Sequence, residues 1–448
     1  MKMIKGIENM VTMMTKMVFI ILLIVCPSKI FSQQALPQKW DLQTCIDYAL
    51  ANNIQVKTAE ANRDIAEVDI RLANAAYLPS VSASIGQNLS DTPFADNGSS
   101  SSSVATGSYG INLSWQLLDG GVRSTNSKQA DIEHQIAGLA IEESKNSIKL
   151  AIIQNYMQIL YANESVKTFE NAVELSAAQL ESNRVKLDIG AVAKSDVSQW
   201  ESQHASDKYQ LVNAQVALEN YKLQLKQLLE LDGLETMHID LAEPAEEEVL
   251  AVLPDRNTIF QTAVSVMPEV KSSKLNSAYS QLGVAKAKAG YLPKVSLNAG
   301  TGTGNIYNSD YNFGTQLKNS WNNTIGLSVS IPIYSNREVK SAVEKAQIGV
   351  ETAKLNELSI YKDLYANVET AYLNAINSQA QFLAAEEKVK SSRDSYDVMD
   401  EQFQLGLKNT IELLTEKNTL ISARQELLQA KYTALMNRKV LDYYQGLI

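Results

Sequence analysis

The feature that most limits how this chain can fold is an octapeptide written twice. Ala75-Ala76-Tyr77-Leu78-Pro79-Ser80-Val81-Ser82 returns 214 positions later as Ala289-Gly290-Tyr291-Leu292-Pro293-Lys294-Val295-Ser296, with six of eight residues identical. In both copies a breaker-free stretch rich in Ala, Lys and Glu stops at Tyr-Leu-Pro, and an alternation of apolar and small polar residues begins. Proline disfavours helical geometry in the residue before it and has no N–H to donate, so it suits the start of a strand. Each copy therefore marks a junction where a helix becomes a strand.

After Pro79, Val81, Ala83, Ile85 and Leu89 alternate with Ser80, Ser82, Ser84, Gly86 and Asn88. After Pro293, Val295, Leu297 and Ala299 alternate with Ser296, Asn298 and Gly300. Partners with the same period of two run through Tyr109, Ile111, Leu113, Trp115 and Leu117, and through Ile325, Leu327, Val329, Ile331 and Ile333. The pattern predicts one β-hairpin per copy, at about 80–118 and about 294–334. Ser99–Ser103 reads as the first hairpin loop, and the second, roughly Asn305 to Trp321, carries Tyr307, Tyr311, Phe313 and Trp321.

Between the hairpins the period changes to that of a helix. From Val122 to Asp188 there is no proline, and apolar residues such as Ile132, Ile136, Leu139, Ile148, Ile152 and Ile159 mostly fall three or four apart. One helix over that span would be about 100 Å long at 1.5 Å per residue. The second copy repeats this from about Ser335 to Gln404, and Ser335 with Glu338 suggests a capping box at its start. Each long helix ends at a glycine, in Ile189-Gly190-Ala191 and Leu405-Gly406-Leu407, and a further helix follows with Asp196 or Glu412 in its first turn. An acid there is stabilised by the helix dipole, so capping alone accounts for both.

The expected organisation is a signal peptide over 1–32, a first structural repeat over 33–231, a connector over 232–255 and a second repeat over 256–448. Lys2, Lys5 and Lys16 precede the apolar run Val18–Val25, as in an export signal. Cys26 invites a lipoprotein reading, but Val25 stands where acylation signals favour a small residue. Processing would leave Cys45 alone, excluding an intrachain disulfide. It would also remove four lysines and one glutamate, taking the formal net charge from −10 to −13, which argues against a nucleic-acid partner. His134, His204 and His238 lack the spacing of a metal or nucleophile site, and Gly300, Gly302 and Gly304 lie at alternate strand positions with no helix to cradle phosphate. No catalysis, metal or cofactor is expected.

An open sheet with one apolar face would expose unpaired edges that lipid does not tolerate. Closure by several copies into a transmembrane barrel with a polar lumen removes them. A soluble sandwich and a coiled-coil rod are the alternatives, and the rod leaves the hairpins unexplained.

In the order of its motifs the chain resembles the outer-membrane factors of the TolC type. The likeness runs through Trp40-Asp41-Leu42, Ala49-Leu50-Ala51-Asn52-Asn53, both Tyr-Leu-Pro junctions, the turns Leu118-Asp119-Gly120-Gly121 and Ile333-Tyr334-Ser335-Asn336, and both glycine tips. It implies a mainly α fold with a two-fold internal repeat, trimerising to a twelve-stranded outer-membrane barrel and a periplasmic helical tunnel. It further implies an exit duct for efflux or type I secretion, working with a periplasmic adaptor and an inner-membrane transporter. Residues Ile189, Gly190, Ala191, Leu405, Gly406 and Leu407 would meet the adaptor. The tunnel would close at that end, where Phe403 stands in place of the family's tyrosine, Lys408 in place of its arginine and Thr415 in place of a second acid. Asp196 and Glu412 keep the other acids. The expectation is a weak latch between Lys408 and Asp196, with a single ring of Glu412 carboxylates favouring cations. The competing reading is a structural or adhesive outer-membrane protein on a coiled-coil stalk, which has no need of two matched tips.

Overall fold

The computed structural model describes residues 37, 39–92, 102–232, 237–241, 246–307 and 309–447. The expected signal peptide, Ser99–Ser101 and parts of the connector lie outside these residues. Helices α1 (Leu42–Asn52) and α2 (Ile54–Ala75) lead into strands β1 (Ser80–Thr92) and β2 (Ser102–Asp119). Helix α3 (Val122–Asp188) follows, and α4 (Lys194–Leu228) folds back along it. After the short α5 (Glu246–Val249), the order resumes with α6 (Arg256–Val266), α7 (Pro268–Lys288) and β3 (Lys294–Ile306). The chain closes with α8 (Phe313–Asn319), β4 (Asn322–Ser330), α9 (Glu338–Gln404) and α10 (Thr410–Tyr444). Helices α3 and α9 are each 67 residues long, and α4 and α10 are each 35.

The strands form one antiparallel sheet in the order β1-β2-β3-β4, so the two hairpins pair with each other through β2 and β3. Ile85 faces Tyr109, which faces Thr303; Val81 faces Leu113, which faces Ala299, which faces Ile325. The apolar residues thus share one face, and they are open, with Ile85 80 % and Ile325 79 % exposed. Strands β1 and β4 are the sheet's edges.

The repeated junction is built by a few polar groups. Asp119 accepts from the Gly121 N–H at 3.1 Å, the Arg123 N–H at 2.9 Å and Arg123 Nε at 3.1 Å. The guanidinium also donates to the Leu117 carbonyl at 2.9 Å and lies 4.9 Å from the centre of the Tyr77 ring. Trp115 Nε1 donates to the Tyr77 carbonyl at 2.9 Å. Tyr77 therefore ties the end of α2 to the start of α3, which explains why Tyr-Leu-Pro and Asp-Gly-Gly occur together.

Three apolar clusters order the helices. The largest lies where α1 and Trp40 cover the middle of α3, packing Cys45, Ile46 and Ala49 on Ile152, Ile153, Tyr156 and Ile159, with Phe382 and Leu435 from α9 and α10. Burial pushes the Cys45 thiol up to about 12. A second cluster sets Ile259, Ala263 and Met267 against Leu364, Val368 and Leu441, and a third, under the tips, joins Leu180, Val197, Trp200 and Leu413.

The second helix start differs from expectation. Asn336 and Arg337 turn through left-handed backbone at φ 46 and φ 67, and Glu338 donates its N–H to the Ser335 carbonyl at 2.7 Å. Arg337 is the N-cap and makes no side-chain cap, so the Ser335–Glu338 capping box does not form. The ladder also stops at Ser330 rather than near 334, just before Pro332, whose missing N–H cannot extend it. At the matching turn the chain has Gly120 at φ 71 and Gly121 at φ 91. A Cβ on Gly120 would sit 2.8 Å from the Ala289 carbonyl oxygen. Gly120→Ala should therefore cost about 2 kcal/mol or more, whereas Arg337→Gly should be neutral or gain up to about 1 kcal/mol by relieving left-handed strain. Thermal unfolding of the detergent-solubilised protein reads both; an unaltered Gly120→Ala transition would contradict the packing described.

Candidate functional site

The end of the molecule away from the sheet carries the two tips. Both close by the same hydrogen bonds. Gly190, at φ 72, donates to the Leu187 carbonyl at 2.9 Å, and Ala191 donates to that of Lys186 at 2.8 Å. Gly406, at φ 73, donates to Phe403 at 3.0 Å, and Leu407 donates to Gln402 at 2.9 Å. This is the Schellman arrangement, and glycine is needed for its left-handed residue. The closure leaves apolar side chains in the open: Ile189 is 76 % exposed, Leu405 75 % and Leu407 71 %.

One turn beyond each tip an acid caps the next helix. Asp196 accepts from the Ala193 N–H at 3.1 Å. Glu412 and Asn409 form a full capping box, Glu412 accepting from the Asn409 N–H at 3.1 Å and donating its own N–H to Asn409 Oδ1 at 3.0 Å. Lys408 Nζ donates to the other Glu412 oxygen at 2.8 Å. The Lys408 ammonium and the Asn409 N–H hold the Glu412 carboxyl below its usual range. Within the chain Lys408 is thus committed to Glu412, and the group that reaches Asp196 is the buried Thr410 hydroxyl, at 3.0 Å. Phe403 turns into the apolar cluster beneath the tips, with Lys186 Nζ 5.8 Å from its ring centre.

A second tie, absent from the sequence reading, joins the helix pair α3/α4 to the pair α9/α10. Lys417 on α10 and Asp207 on α4 form an ion pair of 2.7 Å, their side chains only 2 % and 7 % exposed. Lys417 also donates to the Ala172 carbonyl of α3 at 3.4 Å and lies 5.8 Å from the Trp200 ring centre. Gln203 donates to the free Asp207 oxygen at 2.7 Å and exchanges amide bonds of 3.1 Å with Asn418. Burial pushes the Lys417 ammonium below its ordinary value, and Asp207 offsets this in part. The signal is present in the sequence. Asp207 shares a buried stripe with Val197, Trp200, Leu218 and Leu225, and Lys417 shares one with Leu413, Leu420 and Ala423.

Removing one member of such a pair leaves an uncompensated buried charge, a cost of about 3–5 kcal/mol, whereas replacing both by apolar residues of similar volume is often neutral. Asp207→Ala should therefore speed amide exchange in α4 and α10 strongly, and the double change Asp207→Leu with Lys417→Met should restore most of the protection. Equal protection in the single and double variants would show that the pair carries no such strain.

Among the described residues no group of His, Cys, Asp and Glu could hold a metal, and no helix is long and apolar enough to cross a membrane. The chain is similar to the outer membrane protein TolC of Escherichia coli, 24 % identical over 90 % of this chain and 82 % of that protein. It is similar to the proteases secretion protein PrtF of Dickeya chrysanthemi, 21 % identical over 89 % of this chain and 87 % of that one. In fold it matches the CmeC outer membrane channel of Campylobacter jejuni with a TM-score of 0.75 at 19 % identity, covering 90 % of this chain and 85 % of that one. The family model described as outer membrane efflux protein matches residues 45–230 and 260–446. With both hairpins and the helices around them inside that match, the chain belongs to the outer membrane efflux protein family.

Proposed function

We propose that this chain is the outer-membrane exit duct of a tripartite efflux or type I secretion system, passing cargo from the periplasmic end to the exterior. The observation that carries the reading is where its unsatisfied surface lies. The edge strand β1 is preceded by α2, whose Ile65, Val68 and Leu72 are exposed at helical spacing. The opposite edge, β4, is followed by α9, whose Ile348, Leu355 and Leu358 are exposed in the same way. Each side of the protomer thus presents an unpaired strand and an unpacked helical stripe in line.

A ring of copies satisfies both at once. Three copies give a twelve-stranded barrel, whose apolar face meets lipid and whose Ser, Gly and Asn face lines the lumen. Below it the long helices continue as a tunnel in the periplasm. In this arrangement residues 33–231 and 256–448 are two structural repeats joined by the connector 232–255. The exposed tips Ile189-Gly190-Ala191 and Leu405-Gly406-Leu407 are the surfaces for a periplasmic adaptor, which links the duct to an inner-membrane transporter. The gate lies just inside them at Asp196, Phe403, Lys408 and Glu412. There Lys408 holds Glu412 in place, and Thr410 couples Asp196 to the start of α10.

Two measurements test this. The native mass of the particle extracted by detergent from the outer-membrane fraction should equal three processed chains; a monomer recovered from the soluble periplasm would rule the barrel out. Lys408→Ala should then raise resting conductance in planar bilayers, because Glu412 loses the cation that fixes it at the constriction. An unchanged closed state would remove Lys408 from the gate.

A further inference from the structure

The loop between β3 and β4 holds the part of the molecule that the duct reading leaves unexplained. Residues 307–321 expose four aromatic side chains, Tyr307 at 75 %, Tyr311 at 63 %, Phe313 at 53 % and Trp321 at 61 %. A loop bathed in water gains nothing from such a group. The segment carries a single acid, Asp310, and a single base, Lys318, so its charge is balanced.

The position of α8 is informative. Asn312 caps it by accepting from the Thr315 N–H at 2.9 Å, and Thr315, Gln316 and Leu317 are its half-buried face. Thr303 donates its hydroxyl to the Leu317 carbonyl, Gln316 accepts from the Ile306 N–H at 2.7 Å, and the Phe313 and Tyr109 rings meet edge to face with centres 6.3 Å apart. Tyr109 and Thr303 are register partners, in phase along their strands with Ile111, Leu113 and Trp115 and with Leu297 and Ala299. Helix α8 therefore packs on the apolar face of the sheet, opposite the Ser, Gly and Asn face. It cannot be a plug of the lumen if the apolar face points outward.

The height is also right. At this level polar side chains enter the apolar face, with Gln87 donating to Tyr109 Oη at 2.7 Å and Tyr109 to Asn305 Oδ1 at 3.2 Å, and only Leu89 and Ala105 continue the apolar pattern beyond them. From Leu118, near the junction, up to Tyr109 the strand runs about 30 Å at roughly 3.3 Å per residue. At a tilt of about 40° this is ~23 Å of height, close to the apolar band of a transmembrane barrel. On the barrel reading Tyr77 and Tyr291, at the two helix-to-strand junctions, mark the lower limit of that band, and Tyr109 with α8 marks the upper one.

We propose that α8 and its flanking aromatics are a membrane-surface anchor on the outer wall of the barrel, seated in the lipid headgroup layer at the external interface. The chemistry recognised is that of an interface, where the apolar body of an aromatic ring meets acyl chains and its polar edge meets headgroups. Continuity with the lipid-facing band favours lipid over a protein partner, and the balanced charge fits insertion without a demand for one headgroup sign. The inference rests on the barrel reading and is tested apart from it.

Phe313→Cys, Ile85→Cys and Asn298→Cys are each labelled with a nitroxide in the protein carrying Cys26→Ser, where the one remaining native cysteine, Cys45, is fully buried. The labelled proteins are reconstituted in vesicles of phosphatidylethanolamine and phosphatidylglycerol. Accessibility to oxygen is compared with accessibility to a water-soluble nickel chelate. The Ile85 site should favour oxygen strongly, the lumen site Asn298 should favour nickel, and the Phe313 site should lie between them, several-fold above Asn298 in oxygen preference. A Phe313 site as nickel-accessible as Asn298, with Ile85 still in lipid, overturns the anchor and leaves the barrel intact. A Phe313 site shielded from both reagents indicates protein cover and also overturns it. An Ile85 site open to nickel overturns the barrel itself.

Discussion

In hydrocarbon no water is present to satisfy a backbone N–H or C=O, so a strand in a bilayer must be paired along both sides. The sheet of this chain meets that demand only in its interior. Its hairpins pair through β2 and β3, leaving β1 and β4 as edges, while the apolar face is already complete and open. The same requirement extends into the helices, because α2 enters the edge strand β1 and α9 leaves the edge strand β4. Whatever pairs the edges also brings those two helices against a neighbour, and both carry exposed apolar residues at helical spacing where that contact would fall.

Helices of 67 residues cannot be stabilised by propensity; they depend on what lies along them. Here the packing is uneven along the length. The densest core is at the middle, where Trp40 and α1 cover α3. Trp40 donates its N–H to the His238 carbonyl at 2.9 Å and accepts from the Asp240 N–H at 2.8 Å, drawing connector residues onto the same place. Toward the tips apolar packing thins to a small cluster around Trp200, and polar ties take over between α4 and α10.

Much of this was legible. The period changes at Pro79 and Pro293 located the strands, and the uninterrupted run Val122–Asp188 is the helix itself. The glycines at 190 and 406 marked the tips because a left-handed closing residue leaves little choice of side chain. What was hidden depended on contacts distant in sequence. A lysine at 417 on an apolar stripe looks like an error in the pattern until Asp207 is found across the interface. Lys408 was assigned to Asp196 by resemblance, yet within the chain a carboxylate four residues away is closer to hand. Ser335 and Glu338 have the spacing of a capping box, but the chain enters α9 through left-handed residues that put Arg337 at the cap. The short α8 had no periodicity to announce it, since seven residues give less than two turns for its half-buried side to emerge.

The buried Lys417–Asp207 pair is best understood through register rather than strength. Its desolvation consumes much of the attraction, so an apolar contact of the same volume would hold α4 and α10 together about as well. An apolar contact, however, such as Leu413 on Val197 and Trp200, has no preferred position along the helix axis and would tolerate a slip. A slip of one turn is about 5.4 Å, enough to strand both charges in an apolar seam. The Thr410–Asp196 bond and the Gln203–Asn418 amide pair add two more points that match in only one register. Three polar contacts on one interface thus favour a single offset between the helix pairs α3/α4 and α9/α10, and with it one relative height of the two tips.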